Sequence, residues 1–225
     1  MNKYLTSFKM LLIVLCLSTG PILAQEKDLF SFPVTTEETM AQFKKIASKL
    51  QENKIVRSEF KQSKSIKALK RPLLSNGIFL IALEKGLYFE TTKPFEQLTV
   101  ITPEHLIQKD SGGSVSKLNT DAHPLLQKST ESFLAIFSGK TDSLYKQYDI
   151  FLMVEDGNWQ IGLTPKANNE SSQYIGKIIF KGSIHLDSLI MVEKSGNVTT
   201  IEFSNHKVDQ GNLSEEEIKK FELKK

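Results

Sequence analysis

Two short motifs contain residue types that enzymes use to attack a carbonyl group or to bind phosphate. Asp110-Ser111-Gly112-Gly113 resembles the nucleophile loop of chymotrypsin-like proteases, but Lys109 precedes it where that loop has glycine, and Ser114 follows it where that loop has proline. Gly139-Lys140-Thr141 resembles the end of a phosphate-binding loop, yet Leu134 stands where the first glycine of that loop would be. We therefore expect the first motif to be a flexible turn and the second to bind no phosphate.

Histidines and carboxylates offer no clearer site for chemistry. His105, His123, His185 and His206 stand far apart, and none has a second ligand at the spacing of a metal site. No pair of carboxylates stands out at the end of a predicted strand. We expect surface or hydrogen-bonded histidines, no metal and no cofactor, in a protein that is not an enzyme.

The charge balance argues against nucleic acid as a partner. The sequence has 29 lysines and arginines against 26 aspartates and glutamates, and removal of the leader described below would leave 27 against 26. Such a nearly neutral chain lacks the strongly basic surface that binds nucleic acid. Arg57 and Arg71 are the two arginines, so bidentate clamps for phosphate or carboxylate are scarce.

The N-terminal 24 residues have the pattern of a signal peptide. Lys3 and Lys9 supply the positive region, residues 10–17 form a short apolar run, and Ala24 is a small residue at the expected cleavage point. The run is too short to anchor the protein in a membrane. Lipidation at Cys16 is disfavoured because leucine, not a small residue, precedes it. Cleavage would remove that cysteine, so the exported protein must be held together by its core.

Residues 25–225 are predicted to form one domain, because the sequence contains no internal repeat, low-complexity tract or flexible linker. The centre of this domain has three short runs of β-branched, aromatic and aliphatic residues, at 78–83, 87–92 and 97–102, with turn residues between them. This is the pattern of an antiparallel meander. Because the run 78–83 does not alternate, both faces of its strand should be covered, either in a sandwich or in a sheet that wraps around something.

The elements on either side complete an α+β pattern of about ten strands and three helices with an antiparallel sheet. One helix is predicted after a capping box at Thr35 and Glu38, a second at 122–137, and a third after a capping box at Ser214 and Glu217. The Lys-rich stretch 63–74 reads as a loop. The other predicted strands are 55–62, 105–109, 148–154, 159–163, 175–180, 186–193 and 198–203, with a hairpin turn at Asp156-Gly157-Asn158.

Several short motifs occur in a specific order along the chain. Phe60-Lys61-Gln62 is followed by Gly77 at the start of an apolar strand and by Phe89 five residues before Pro94. A later hairpin ends in Gly162-Leu163-Thr164-Pro165-Lys166-Ala167, which is similar to a Leu-Thr-Pro-Lys signature. Together these motifs resemble the lipoprotein carrier family of the bacterial periplasm, LolA and its relatives, over nearly the whole mature chain.

The resemblance implies a strongly curved, incomplete antiparallel β-barrel whose helices form a lid over an apolar concavity. It also implies a periplasmic, non-enzymatic carrier that shields the acyl chains of lipoproteins in transit from the inner to the outer membrane. The implied partners are an acylated lipoprotein or lipid cargo, an inner-membrane transporter or release complex and an outer-membrane acceptor, with a monomeric carrier. Two alternatives are a carrier for a free lipid, glycolipid or acylated pigment beside an inner-membrane exporter, and an envelope-stress lipid sensor domain.

A carrier of this kind needs a long apolar surface, because an acyl chain in water costs about 0.8 kcal/mol per methylene group. The implied fold assigns that surface to apolar side chains of the strands and of the predicted helix 122–137. Taken singly, each of these positions is more often part of an ordinary core than of a binding surface. The candidate lipid-binding residues are Phe60, Phe79, Ile81, Leu87, Phe89, Leu98, Val100, Phe133, Ile136, Phe137, Trp159, Ile161 and Leu163.

One position departs from the family pattern. With Gly77 and Pro94 aligned, the Arg-Pro pair of the family falls on Leu83-Glu84. In the family that arginine is implied to hold the lid closed by hydrogen bonds to the helix backbone, which leucine cannot form. We expect either a looser lid, or a lid reached in another way by Arg71 or Arg57. The departure also leaves open whether the cargo is a lipoprotein or another lipid.

Overall fold

Eleven strands form one antiparallel sheet in the computed structural model of the protein, which describes residues 28–119, 134–139, 141–209 and 211–223. None of the described helices has the length and apolar content that a membrane span requires. In chain order the strands are β1 (Ile55–Ser65), β2 (Leu73–Ala82), β3 (Gly86–Lys93), β4 (Gln97–Ile101), β5 (His105–Asp110), β6 (Val115–Asn119), β7 (Tyr148–Glu155), β8 (Asn158–Pro165), β9 (Ile175–Gly182), β10 (Leu186–Glu193) and β11 (Val198–Asp209).

The sheet is built from two meanders joined along one pair of strands. Consecutive strands pair from β1 to β6 and again from β7 to β11, and β1 pairs with β11. The edges of the sheet are therefore β6 and β7, and the sheet does not close into a full barrel. The α+β class and the incomplete antiparallel barrel expected from the sequence are confirmed. Strand β6 was not predicted; it pairs with β5 across the turn that contains Ser111.

Two features of the backbone explain why glycine occurs where it does. Asp156 and Gly157 have φ angles of 49° and 81°, the left-handed conformation that a two-residue hairpin turn requires, which confirms the predicted turn between β7 and β8. At Gly77 a Cβ atom would collide with the backbone carbonyl of Glu90 on β3. Glycine at position 77 therefore allows β2 and β3 to approach closely at the point where their register shifts.

The first and last predicted helices are present, and the described part of the second is helical. Helix α1 (Glu37–Glu52) begins after Thr36, whose hydroxyl accepts from the backbone N–H of Thr39, so the predicted capping box at Thr35 and Glu38 was wrong by one residue. Helix α2 (Asp142–Gln147) was not predicted. Residues 134–137 are helical, and the rest of the predicted helix 122–137 lies outside the described residues.

Helix α3 (Glu215–Phe221) begins as the sequence predicts. The Ser214 hydroxyl accepts from the backbone N–H of Glu217, and the Glu217 carboxylate accepts from the backbone N–H of Ser214. By contrast, the predicted loop 63–74 is too long, because β1 continues to Ser65 and β2 already begins at Leu73. Ladder pairing such as Lys64 with Leu73 sustains strand structure in a segment whose side chains show no apolar alternation.

The two faces of the sheet carry two separate apolar clusters. The larger one, which we call the inner-face cluster, extends across strands of both meanders and includes residues of α1 and of 134–137. The smaller one, the outer-face cluster, consists of Ile55, Leu80, Ala82, Tyr88, Val100 and Ile107 beneath Phe221 of α3. Both faces of β2 are therefore covered, as its non-alternating sequence indicates.

Candidate functional site

The inner face brings together most of the apolar residues that the sequence nominated. Ten of the candidate residues lie in the inner-face cluster or pack against it, although they come from four strands and one helical segment. They are Phe60, Phe79, Ile81, Leu87, Phe89, Ile136, Phe137, Trp159, Ile161 and Leu163.

Two nominated residues lie on the opposite face. Leu98 and Val100 belong to the outer-face cluster, because Val100 lies directly across from Tyr88 in the β3–β4 register. The inward positions of β4 are those across from Leu87 and Phe89, which are Ile101 and Thr99. The expectation that Leu98 and Val100 line the concavity was therefore wrong. Phe133 lies outside the described residues.

A row of four phenylalanine rings crosses the inner face. The ring of Phe60 lies 5.2 Å from that of Phe89, at a nearly perpendicular angle. Phe89 lies 4.9 Å from Phe79, and Phe79 lies 4.8 Å from Phe203. These centroid distances are typical of favourable aromatic pairs, so the rings form a continuous apolar surface from β3 to β11. Phe203 was not nominated from the sequence, although it shares the inward alternation of β11 with Ile201.

Two cavities lie at the two ends of this aromatic row. An open cavity of about 470 Å³ is lined by Phe60 and Phe89, with Ser75, Thr99 and Phe95 at its entrance. At the other end, a small space of about 20 Å³ is bounded by Phe79, Phe203, Phe137 and Leu50, among others. The first lies within the range of small-molecule sites, about 300–1,000 Å³. The second can hold about one water molecule.

Helices fill the inner face between these cavities. Phe43 and Leu50 of α1 are buried in the inner-face cluster, and so are Ile136 and Phe137 of the segment 134–137. The Phe43 ring also packs edge-on against Tyr145 of α2, with the centroids 5.9 Å apart. In this structure the inner face is therefore apolar but occupied by the protein's own side chains beyond the open cavity.

Neither arginine of the chain takes the role of the family arginine that is implied to hold the lid closed. Leu83 packs against the inner-face cluster, and its backbone N–H donates to the carbonyl of Lys54 at 3.1 Å. Arg71 is exposed in the loop between β1 and β2. Arg57 turns to the outer face instead, where it binds α3. The expected alternative in which Arg57 reaches the lid is wrong, and the helices pack on the inner face through apolar contacts.

The Arg57 contact is a bidentate ion pair that holds α3 on the outer face. Its Nε donates to Glu217 Oε1 at 2.6 Å, and its Nη2 donates to Glu217 Oε2 at 2.8 Å. These hydrogen bonds lower the pKa of Glu217 to about 2. On the same helix, Lys220 Nζ donates to Glu90 Oε2 of β3 at 2.8 Å. Both pairs join α3 to the central strands.

Folding also brings two histidines together beside the small cavity. The rings of His185 and His206 lie 5.1 Å apart, although the sequence indicated isolated histidines. Ser58 Oγ lies 2.7 Å from His206 Nδ1, and His206 Nε2 lies 3.4 Å from Asp187 Oδ1. These are the residue types of a hydrolytic triad, but the adjoining space of about 20 Å³ has no room for an ester substrate. The group is a polar cluster in which Ser58 is buried, the two histidines are partly buried and Asp187 is exposed.

This cluster should make the stability of the protein depend on pH. Burial, reinforced by His185, lowers the pKa of His206 below its ordinary value, despite the opposing effect of Asp187. The unfolded chain then binds a proton first as the pH falls below about 6.5, so stability is complete above that pH and declines below it. Urea unfolding at pH 7.5 and 5.5 should show a smaller decline for His206→Gln than for the wild type. Equal declines would show that His206 does not couple folding to protonation.

The two motifs that resembled catalytic loops occupy ordinary connections. Asp110-Ser111-Gly112-Gly113 joins β5 to β6, where Asp110 Oδ1 accepts from the backbone N–H of Ser114 at 2.9 Å. Gly139 and Thr141 lie between the segment 134–137 and α2, and Lys140 lies outside the described residues. Among the residues that the structure describes, no group of three His, Cys, Asp or Glu side chains is placed to hold a metal ion. His123 lies outside them.

Comparison with known proteins agrees with this architecture. Residues 51–216 match the model of the family described as outer membrane lipoprotein carrier protein LolA. No curated protein matches the sequence.

Three solved structures have a similar arrangement of elements. A LolA superfamily protein from Nitrosomonas europaea is 14% identical over 76% of this chain and 94% of its own, with a TM-score of 0.43. The MucA/MucB complex of Pseudomonas aeruginosa contains a chain 10% identical over 78% of this chain and 59% of its own, with a TM-score of 0.46. LprF from Mycobacterium bovis is 12% identical over 80% of this chain and 98% of its own, with a TM-score of 0.34. Because the family model covers most of the sequence, the chain belongs to the LolA family of outer membrane lipoprotein carrier proteins.

Proposed function

We propose that the protein is a periplasmic carrier that shields the acyl chains of lipoproteins as they pass from the inner to the outer membrane. The observation that carries this proposal is the apolar inner face, with its aromatic row leading from an open cavity of about 470 Å³ into a part of the sheet filled by helices. Family membership supports the same function. An inner-membrane transporter would deliver the cargo, and an outer-membrane acceptor would receive it.

The size of the open cavity allows only part of an acyl chain to enter while the helices remain packed on the inner face. Each methylene group removed from water stabilises the complex by about 0.8 kcal/mol, so a long acyl chain gains most when it is buried along its whole length. The open cavity accepts one end of such a chain against Phe60 and Phe89. Deeper entry requires the side chains of α1 and of the segment 134–137 to withdraw from the inner face.

A free lipid, glycolipid or acylated pigment is the second candidate cargo, and the leucine at position 83 is the observation that favours it. Leu83 packs on the inner face where the family is implied to have an arginine, so the site differs at one of its characteristic positions. Mass spectrometry of organic extracts from protein purified out of the envelope would separate the two. Acylated peptides support lipoprotein cargo, and glycolipid or pigment supports the alternative. N-terminal sequencing of the same sample tests cleavage after Ala24.

Binding of a neutral fluorescent diacylglycerol tests the proposed site directly. Phe89→Glu replaces a ring of the aromatic row by a charge at the open cavity, and we expect it to weaken probe binding about tenfold. The matched control is Ile184→Glu, which places the same charge at an exposed apolar position between β9 and β10. Unchanged affinity in a folded Phe89→Glu protein, or equal loss in both variants, would contradict the assignment of the site.

A further inference from the structure

One end of the sheet, where strands begin or finish, carries an unusual combination of exposed apolar and basic side chains. This end, which we call the basic rim, comprises residues 64–74, 94–96, 174 and 194–197, at the ends of seven neighbouring strands. Hydrogen bonds join its loops: the backbone N–H of Lys194 donates to the carbonyl of Tyr174 at 2.7 Å, and that of Lys67 donates to Asn197 Oδ1 at 3.0 Å. These bonds join three of the four segments, and the pairing of Asn76 with Lys93 between β2 and β3 brings residues 94–96 to the same end of the sheet.

Its apolar side chains point into water. Phe95 is 77% exposed and Leu74 is 65% exposed, and Leu69, Leu73 and Tyr174 are exposed as well. Single exposed apolar residues are common on soluble proteins, but several at one end of a sheet mark a surface that binds something. They come from three separate segments of the chain, 69–74, 95 and 174.

The charge of the basic rim has one predominant sign. Residues 64–74 contain Lys64, Lys67, Lys70 and Arg71 and no acidic residue. Lys64 lies 3.9 Å from Glu193, whereas the other three form no ion pair with any residue in the described part of the chain. Near Phe95, the positive charge of Lys93 and the negative charge of Glu96 cancel. Basic side chains interleaved with exposed leucine and phenylalanine are the combination that binds an anionic lipid surface.

The basic rim reaches the open cavity at residues 94–96, which line it. Phe95 and Ser75 line that cavity together with Phe60 and Phe89 of the inner face. Phe95 belongs to the rim and also lines this cavity, so its exposed ring is adjacent to the aromatic row. A flat surface that contacts the rim would face the entrance.

We propose that the basic rim docks the protein onto an anionic phospholipid bilayer, with Lys67, Lys70 and Arg71 at the phosphate groups and Phe95 and Leu74 among the acyl chains. This inference goes beyond the proposed function, because it concerns a contact with the membrane itself and not the binding of cargo inside the protein. The orientation would bring the cavity entrance against the bilayer, so that an acyl chain crosses little water on its way in or out.

Flotation of the cargo-free protein with vesicles tests this contact. We expect binding to vesicles that contain phosphatidylglycerol, weaker binding at high salt and little binding to pure phosphatidylcholine vesicles. The triple variant Lys67→Gln/Lys70→Gln/Arg71→Gln should lower the partition constant about 100-fold. The variant Leu74→Ser/Phe95→Ser should lower it about tenfold while leaving the salt dependence in place.

A control variant at the opposite end of the sheet distinguishes binding through the basic rim from a general effect of removing positive charge. Lys54→Gln/Lys85→Gln/Ile184→Ser removes two basic groups and one exposed apolar side chain there, and it should bind vesicles as the wild type does. Equal losses in the two sets of variants, or no vesicle binding by the wild type, would overturn the proposal, and so would self-association through the rim in place of vesicle binding. The diacylglycerol assay on the wild type and on the triple basic variant shows separately whether the cavity functions, because that variant leaves the cavity lining intact.

Discussion

Replacing Ile136 by alanine is expected to make the protein bind an acyl-chain probe about tenfold more tightly, even though it makes the fold less stable. Ile136 is fully buried in the inner-face cluster, on the helical segment that occupies the proposed acyl site. Truncating a buried isoleucine costs about 2–5 kcal/mol. If the segment acts as a lid, part of this cost destabilises only the closed state, in which the segment covers the site. A larger fraction of the folded molecules is then open and competent to bind.

The apparent affinity rises in proportion to that fraction, and a shift of about 1.4 kcal/mol in lid closure corresponds to the expected tenfold change. Leu80→Ala is the matched control, because Leu80 is equally buried but lies in the outer-face cluster beneath α3. It should lower the free energy of unfolding without tightening probe binding.

Hydrogen exchange gives a second measurement of the same motion. Amides of residues 134–139 should exchange faster in Ile136→Ala than in the wild type, while those of β8 and β9 change little. Weaker or unchanged probe affinity in Ile136→Ala, together with exchange that matches the sheet in both proteins, would show that the segment is a fixed part of the core. The mechanism in which the helices withdraw would then not apply.

Acid should destabilise the wild-type protein by up to about 3 kcal/mol more than it destabilises Glu217→Gln. The hydrogen bonds from Arg57 lower the pKa of Glu217 to about 2, below its ordinary value of 4.5. A carboxylate whose pKa is lower in the folded protein contributes stability that is complete above the unfolded value. That stability is lost as the pH falls through the folded value, here between about 4.5 and about 2. The Glu217 side chain is only 13% exposed, so solvent screens the pair weakly.

Urea unfolding across this pH range measures the effect. The curves for wild type and Glu217→Gln should lie furthest apart at neutral pH and converge near pH 2. Glu216→Gln is the control, because the Glu216 carboxylate is largely exposed. Its unfolding free energy should depend on pH as that of the wild type does. Parallel curves for the wild type and Glu217→Gln would mean that the ion pair does not link α3 to folding stability. If Glu217→Gln still binds diacylglycerol, the loss of stability comes from the outer face and leaves the cavity on the inner face intact.

The sequence by itself determined those parts of the structure that depend on neighbouring residues. The hairpin at Asp156 and Gly157 follows from the left-handed backbone that these residue types tolerate, and the start of α3 follows from a hydroxyl and a carboxylate three residues apart. Alternation in β8 placed Trp159, Ile161 and Leu163 on one face. These signals act within a few residues, so they are readable without the fold.

Tertiary structure decided which face of a strand points inward. Leu98 and Val100 are as apolar as the inward residues of β3, but register with Tyr88 assigns Val100 to the outer face. A shift of one residue reverses every side chain of a strand, and register is set by pairing with a neighbouring strand, not by composition. The same dependence explains β6, whose polar sequence becomes a strand because β5 offers it hydrogen bonds.

Tertiary structure also decided every contact between residues distant in the chain. Arg57 and Glu217 are 160 residues apart, and His185, His206 and Ser58 meet only because β1, β10 and β11 are neighbours in the sheet. Nothing in the local sequence of these residues marks a partner, since charge and hydrogen bonding act through space. The sequence therefore indicated an apolar concavity and its family, whereas the filling of that concavity by helices, the clamp on α3 and the basic rim emerged only from the folded chain.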